Sequence, residues 1–371
     1  MERRPTAAVI DTGALRHNYA QLKSRVPENV RIMAVVKANA YGHGDVEVAR
    51  VLESMGCVWF GVAIPEEGER LRAAGIKGPV VVLGGVYPGQ IKDVFDLDLT
   101  PVVFDSSTAR LINDYAKKHG LTKNVHVKVD TGMGRLGLLD YQIEPFFRAI
   151  KDLSAIRVEA LLSHFSEAED ADSDFTGTQL KAFVQVVDAV RGLGFDPEFI
   201  GMANSAAAVD CAEAHLGLIR PGIMLYGAYP SGHLMEKIGL KPVMQLKTRI
   251  LHTKHVPAGF FVSYGRRFAT TRESIIATLP IGYGDGVPRR LSGSGEVLVR
   301  GARAPMAGVV CMDLTMCDVT DVPDVTAGDE VVVMGEQGGE RITAEEIARK
   351  AGTISYEIFC NISARVPRVY V

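Results

Sequence analysis

The stretch "AVVKANAYGHG", residues 34–44, ends an apolar run on a lysine and then breaks at Gly42 and Gly44. Residues 32–36 have the continuous apolar texture of a buried strand. A lysine directly after such a strand either snorkels away from the sheet or works at the sheet's end. Which of the two holds depends on what the rest of the chain brings to the same place.

Working outward, the same texture returns at residues 58–64, 80–83, 99–104, 125–129, 158–162, 199–203 and 217–219, the last read as continuing into 223–226. Between these runs lie segments of helical period. In "GALRHNYAQLKSRV", Leu15, Tyr19, Leu22 and Val26 share a face; in "GTQLKAFVQVVDAVRGLG", Leu180, Phe183, Val184, Val187 and Val190 do so. Eight strands separated by helices within roughly 250 residues are the signature of an α/β fold of the (β/α)8 TIM-type barrel class. A doubly wound sheet produces a similar alternation.

After "GLKPVM" the texture changes to β-like runs closed by glycine and proline, with "TAEEIARKAG" the only helical stretch and Thr343 its N-cap. The expected organisation is a barrel over residues 1–240 and a mainly β domain over 241–371, with residues 1–10 expected to pair with the second domain.

Composition narrows the function classes. A net charge of −3 gives no electrostatic reason for a nucleic-acid partner. No window has the length of a membrane span and no signal-like segment opens the sequence, so a cytoplasmic chain is expected. Five cysteines without a C-x-x-C pair suit reduced, mostly buried thiols, and no metal site is expected.

In a barrel, catalytic groups sit at the C-terminal ends of strands. Lys37, Arg135, His164, Asn204, Ser205 and Arg220 each follow a strand run. Singly, each has an ordinary reading: a solvated loop lysine, a hydrogen-bonded structural histidine, an arginine that ends a strand. Together they describe a cationic pocket suited to a phosphate or carboxylate. Ser205 and Gly222 follow the seventh and eighth strands, where barrels commonly hold a phosphate on backbone amides. In "VHVKVD" the alternation sets Val125, Val127 and Val129 on one face and His126, Lys128 and Asp130 on the other. If the valines face the helices, Lys128 points inward and must be neutral, paired or modified.

The blocks "VVKANAYGHG", "KVDTGMGRLG", "SHF", "NSAA", "IRPGIMLYG", "SYGRRF", "IGYGDG" and "VCMDLT" closely resemble the bacterial alanine racemase family over nearly the full length, in order and spacing. That resemblance implies an N-terminal barrel, a C-terminal β domain, pyridoxal 5′-phosphate (PLP) and a head-to-tail homodimer with shared sites acting on alanine. It implies that Lys37 holds PLP as a Schiff base and serves as a base on one face of the substrate Cα. Tyr264 of the partner subunit would then be the base on the other. It places Arg220 at the pyridine nitrogen and His164 between Arg220 and Tyr264; a neighbouring arginine disfavours imidazolium, so a neutral His164 is expected.

The same resemblance assigns Tyr41, Asn204, Ser205, Gly222, Ile223 and Tyr356 to the cofactor. Arg135, Met312, Asp313 and Tyr283 fall to the substrate side, Tyr283 and Tyr356 narrowing the entrance. Lys128 matches a lysine that is carbamylated in many members. A broader-specificity racemase acting on serine and a non-catalytic PLP carrier are the alternatives. The sequence departs from the family at Val309, where an arginine is common, and at Glu169, where an aspartate is common. An outer ion-paired gate is therefore in doubt, with Arg289 and Glu169 left as its candidates.

Overall fold

The computed structural model describes residues 4–371. Strand β1 (Ala7–Ile10) precedes the parallel strands β2 (Arg31–Val35), β3 (Trp59–Val62), β4 (Val80–Val82), β5 (Leu99–Val103), β6 (Lys123–Lys128), β7 (Ile156–Leu162), β8 (Phe199–Gly201) and β9 (Leu218–Ile219). These eight pair in chain order, and β9 returns to β2 through Arg31↔Leu218 and Ile32↔Ile219, closing a barrel. Closure excludes the doubly wound alternative.

Local chemistry sets the helices between them. Helix Ser106–His119 starts where Asp105 accepts from the Thr108 amide and stops at Gly120, which takes φ 66°. Its buried residues, Ala109, Ile112, Asn113 and Ala116, recur at helical spacing.

The barrel interior is a packed floor rather than a pore. Met33, Trp59, Val81, Val102, Ala160, Leu162 and Leu218 form one cluster, with Trp59 stacked on His126 at 5.5 Å and edge-on to Phe199 at 4.8 Å. Val125, Val127 and Val129 belong instead to the main core between strands and helices. The alternation in β6 thereby turns His126 and Lys128 inward, and the open space lies above the floor.

The second domain contains β10 (Met244–Arg249), β11 (His252–Val256), β12 (Phe261–Val262), β13 (Phe268–Ala269), β14 (Ser274–Leu279), β15 (Glu296–Val299), β16 (Ala302–Pro305), β17 (Thr315–Asp318), β18 (Glu330–Gln337), β19 (Glu340–Ile342) and β20 (Arg368–Tyr370). Its main sheet runs β16-β15-β18-β10-β1-β20, with β19 added to β18. Strand β1 pairs antiparallel with β10 and parallel with β20. Of the N-terminal segment expected to pair here, residues 1–3 lie outside the described residues.

Four sequence readings need correction. Ile223–Tyr226 is a 3-10 turn, because Gly222 breaks the extended path after β9. Val184 is exposed and Val186 takes its place on the buried face of helix Phe175–Gly192. A second helix, Ser355–Cys360, follows Ala344–Ala351; it is too short for period alone to reveal. All five cysteines are free thiols, but only Cys57 and Cys317 are buried. Among the described residues, no helix is long and apolar enough to cross a membrane.

Candidate active site

Lys37 leaves β2 at the open end of the barrel and begins the turn Lys37–Tyr41. Ala38, Asn39, Ala40 and Tyr41 have φ of 52°, 56°, 52° and 52°, a left-handed turn built from non-glycine residues. Its bonds run from Gly42 N to Ala38 O and from Gly44 N to Asn39 O, both 2.9 Å. Such a conformation costs about 1–2 kcal/mol per residue and persists only where the surroundings over-determine it. It carries the Tyr41 hydroxyl to the end of β9, where a Cβ on Gly222 would lie 2.4 Å from it. Glycine at 222 is therefore a matter of space.

A cavity of about 560 Å³ opens above the barrel floor. Lys37, Lys128, Arg135, His164 and Arg220 line it, delivered by the ends of β2, β6, β7 and β9, with Lys128 and Arg135 both from β6. Its other side is made by Tyr41, Asn204, Ser205, Gly222, Ile223 and Tyr356. Asn204 caps helix Ser205–Asp210 by accepting from the Ala207 amide, and Ser205 Oγ accepts from Gly222 N at 2.9 Å. The ends of β8 and β9 are thus tied into one polar cradle.

Burial, and after it the crowding of cations, sets the electrostatics. Burial, then Arg135, pushes the Lys37 ammonium below its ordinary pKa, against a smaller opposing pull from Glu67. Burial drives Lys128 well below the usual lysine range, with Arg220 and Arg135 adding to it. His164 is pushed well below the usual imidazole range by burial and then by Lys128, Arg220, Arg135 and Lys37. Its ring is neutral at physiological pH. Burial lowers Arg220 to about 10, so it keeps its charge near neutrality. Among the described residues, Arg220 Nη1 is buried without a hydrogen-bond partner, an unmet donor in a protein interior.

The remaining expected residues lie elsewhere in the chain. Tyr264, Met312 and Asp313 border a shallow depression on the β domain with Cys311 and Leu314. Tyr264 is 71% exposed and Met312 53% exposed. Ser263, at φ 67°, throws Tyr264 outward while its hydroxyl donates to Val309 O at 2.6 Å. Tyr283, also exposed, docks beside this group through its amide to Cys311 O at 2.9 Å. Asp313 is paired with Arg365 at 2.7 Å. None of Tyr264, Tyr283, Met312 or Asp313 lines the barrel cavity.

Comparison with known proteins agrees with this two-part layout. The family models "Alanine racemase, N-terminal domain" and "Alanine racemase, C-terminal domain" match residues 10–230 and 243–370. The chain belongs to the alanine racemase family. It is 50% identical to the alanine racemase of Halothermothrix orenii over 99% of this chain and 97% of that one. It is 47% identical to that of Geobacter sulfurreducens over 100% and 98%. Among solved structures, alanine racemase of Clostridium difficile superposes with a TM-score of 0.94 at 37% identity, covering 100% of this chain and 97% of that one. That of Bacillus anthracis with bound L-Ala-P does so with 0.93 at 35%, covering 100% and 96%.

Racemases of this family are PLP-dependent, and the residues of this one fit such a group. A cavity lysine held below its ordinary pKa, an unmet Arg220 donor and the Ser205–Gly222 cradle suit an aldehyde, a ring acceptor and a phosphate respectively.

Several contributors to this racemase's site carry no motif that names them. Glu67 is buried, accepting from the amides of Ala38 at 2.6 Å and Ala63 at 2.7 Å, and so ties the ends of β2 and β3. Asp130 accepts from the amides of Gly132, Gly134 and Arg135, shaping the loop that aims Arg135. The "DTG" that begins this loop is the one local signal that pointed to such an Asp-centred turn. Cys360 also lines the cavity. Val309 is 4% exposed, a setting hostile to a charge, and Arg289 makes no ion pair with Glu169 among the described residues.

Proposed function

We propose that this racemase interconverts L- and D-alanine with PLP, in a homodimer that completes each barrel cavity with the Tyr264 surface of the partner subunit. The observation that carries this reading is the separation of the expected site residues into two groups. One lines a cavity in the barrel; the other, including Tyr264, stands exposed on the β domain of the same chain. Tyr264 is exposed and does not line its own chain's cavity, whereas a head-to-tail pair would bring it to the partner's. The relative with bound L-Ala-P supports a small alanine-like substrate.

PLP bound at Lys37 would withdraw electrons from the substrate Cα and make its proton removable. The chain's residues do the rest. Lys37, made easier to deprotonate by burial and by Arg135, takes or returns the proton on one face. Tyr264 of the partner subunit does so on the other, and His164, held neutral, accepts or passes on the tyrosine proton. Arg135 orients the substrate carboxylate, with Met312 and Asp313 of the partner subunit beside it. Arg220 stays charged, and as a donor only it would suit an unprotonated ring nitrogen. Tyr356 and Tyr283 keep the entrance narrow. The product is the D-alanine that peptidoglycan assembly consumes, in the cytoplasm.

Two inactive variants test the shared site. Lys37→Ala and Tyr264→Phe are each purified, mixed in equal amounts and allowed to exchange subunits. Random pairing makes half the dimers hybrids, each with one intact site, so activity recovers to about a quarter of wild type. Mixtures that stay inactive despite proven exchange would remove the trans assignment.

A further inference from the structure

The left-handed turn that carries Lys37 and Tyr41 is moulded from outside the barrel. Arg368, in β20 of the second domain, donates through Nε to Gly42 O at 2.8 Å. Its remaining donors reach Ser363 O and Val366 O at 2.7 Å and Ile362 O at 2.6 Å. Among the described residues, one guanidinium therefore serves four carbonyls and no carboxylate. A Cβ on Gly42 would lie 2.2 Å from Phe359 O, and one on Gly44 1.9 Å from the Tyr370 hydroxyl. The β domain leaves this backbone no room to relax.

His43 works from within the turn. It is wholly buried, with Nδ1 3.1 Å from Ala40 O and 2.9 Å from Tyr41 O. Both partners are acceptors, so Nδ1 carries the hydrogen. The ring stacks on Tyr226 at 4.6 Å and meets Phe359 edge-on at 4.9 Å. The carbonyls of Tyr41 and Gly42 are thus met by His43 Nδ1 and Arg368 Nε, and that of Ala40 takes both the His43 amide and its ring.

We infer that Arg368 is a positioning residue for the reaction: through Gly42 and with His43 it holds the left-handed turn, so that a chain's own β domain sets where Lys37 and Tyr41 stand in its barrel cavity. The functional half of this inference rests on the assignment of those two residues to PLP. The mechanical half does not. The planar fork of arginine reaches four separated carbonyls together; an ammonium with three donors on a flexible stem does not. Arg368→Lys therefore retains part of the clamp and Arg368→Gln loses most of it.

Hydrogen exchange by mass spectrometry on cofactor-free protein reads the turn directly, and PLP titration with alanine kinetics reads the site. In Arg368→Gln, exchange in residues 37–44 is expected to rise about tenfold while the segment around β4 stays unchanged. PLP affinity falls about tenfold, and kcat falls while KM for alanine stays within about threefold. Arg368→Lys recovers part of each. Gly42→Ala, which presses on the mould from the other side, reproduces the pattern if Arg368→Gln does not fold. Unaltered exchange in residues 37–44, or an equal rise along the whole chain, overturns the inference. Faster local exchange with unaltered PLP affinity upholds the clamp and counts against the cofactor roles of Lys37 and Tyr41.

Discussion

Lys128 and Arg220 donate to the same acceptor. The carbonyl oxygen of Ser163 takes a bond from Lys128 Nζ at 2.9 Å and another from Arg220 Nη2. Two cations on one carbonyl, with Arg135 nearby, is a poor arrangement for a buried ammonium, and Lys128 is driven well toward its neutral form. A neutral amine can add carbon dioxide, giving a carbamate and releasing a proton. The product is an anion among arginines. We expect a carbamate resonance when the protein is incubated with 13C-bicarbonate, lost in Lys128→Ala. Its absence from folded wild type would show that Lys128 works as a free amine.

Acid should destabilise the cofactor-free protein earlier than its carboxylates alone would. His43 is lowered by burial from 6.5 to about 4, and His164 is pushed well below the usual imidazole range by burial and by the surrounding cations. Their folded-state pKa values lie below the unfolded ones. As pH falls through 6.5 the unfolded chain takes up protons that the folded chain refuses, and stability is lost. For His43 the loss between pH 7 and pH 5 is about 2 kcal/mol, an order-of-magnitude figure from this linkage. Urea midpoints at the two pH values check it. A His43→Phe variant that folds and keeps the whole pH 7 to 5 difference would mean that His43 does not titrate as its burial requires.

Arg220→Glu should change the outcome of the reaction as well as its rate. A carboxylate at that place favours a protonated ring nitrogen, where the guanidinium donates and favours an unprotonated one. Racemisation should fall at least about tenfold, and pyruvate from transamination should appear above the wild-type level. A coupled dehydrogenase assay reads the pyruvate. A variant that racemises slowly and forms none would place Arg220 in binding alone.

Tyr356 lines the cavity and packs its ring 5.9 Å from that of Tyr41. Tyr356→Ala is expected to raise the kcat/KM ratio of serine to alanine by about tenfold, the scale on which a pocket discriminates one small group. An unchanged ratio would move the control of side-chain size elsewhere in the cavity.

Much of this was legible before any coordinates, for reasons of locality. Barrel strands announce themselves as short apolar runs, and the polar residues that end them sit next to those runs. Lys37, Arg135, His164, Asn204, Ser205 and Arg220 are visible on that ground alone. The turn at Ile223–Tyr226 was misread because an apolar tetrapeptide looks the same as strand or 3-10 turn; Gly222 decides it. Glu67 was invisible because "PEEGERLRA" offers Glu66 and Glu67 equally. Only the approach of the Ala38 amide, twenty-nine positions away, gives Glu67 its task.

By itself the sequence determined the class of fold, the family and the set of chemical groups at the strand ends, since these depend on periodicity and on residues adjacent in the chain. Tertiary structure alone decided where those groups stand. It brought five strand ends to one cavity, and burial together with crowded cations pushes a lysine and a histidine there well below their ordinary pKa values. It kept Tyr264 on a different surface, and it pressed residues 38–41 into a left-handed turn against Arg368 and Phe359. Those outcomes arise from burial and from hydrogen bonds between segments tens to hundreds of residues apart, which no local pattern encodes.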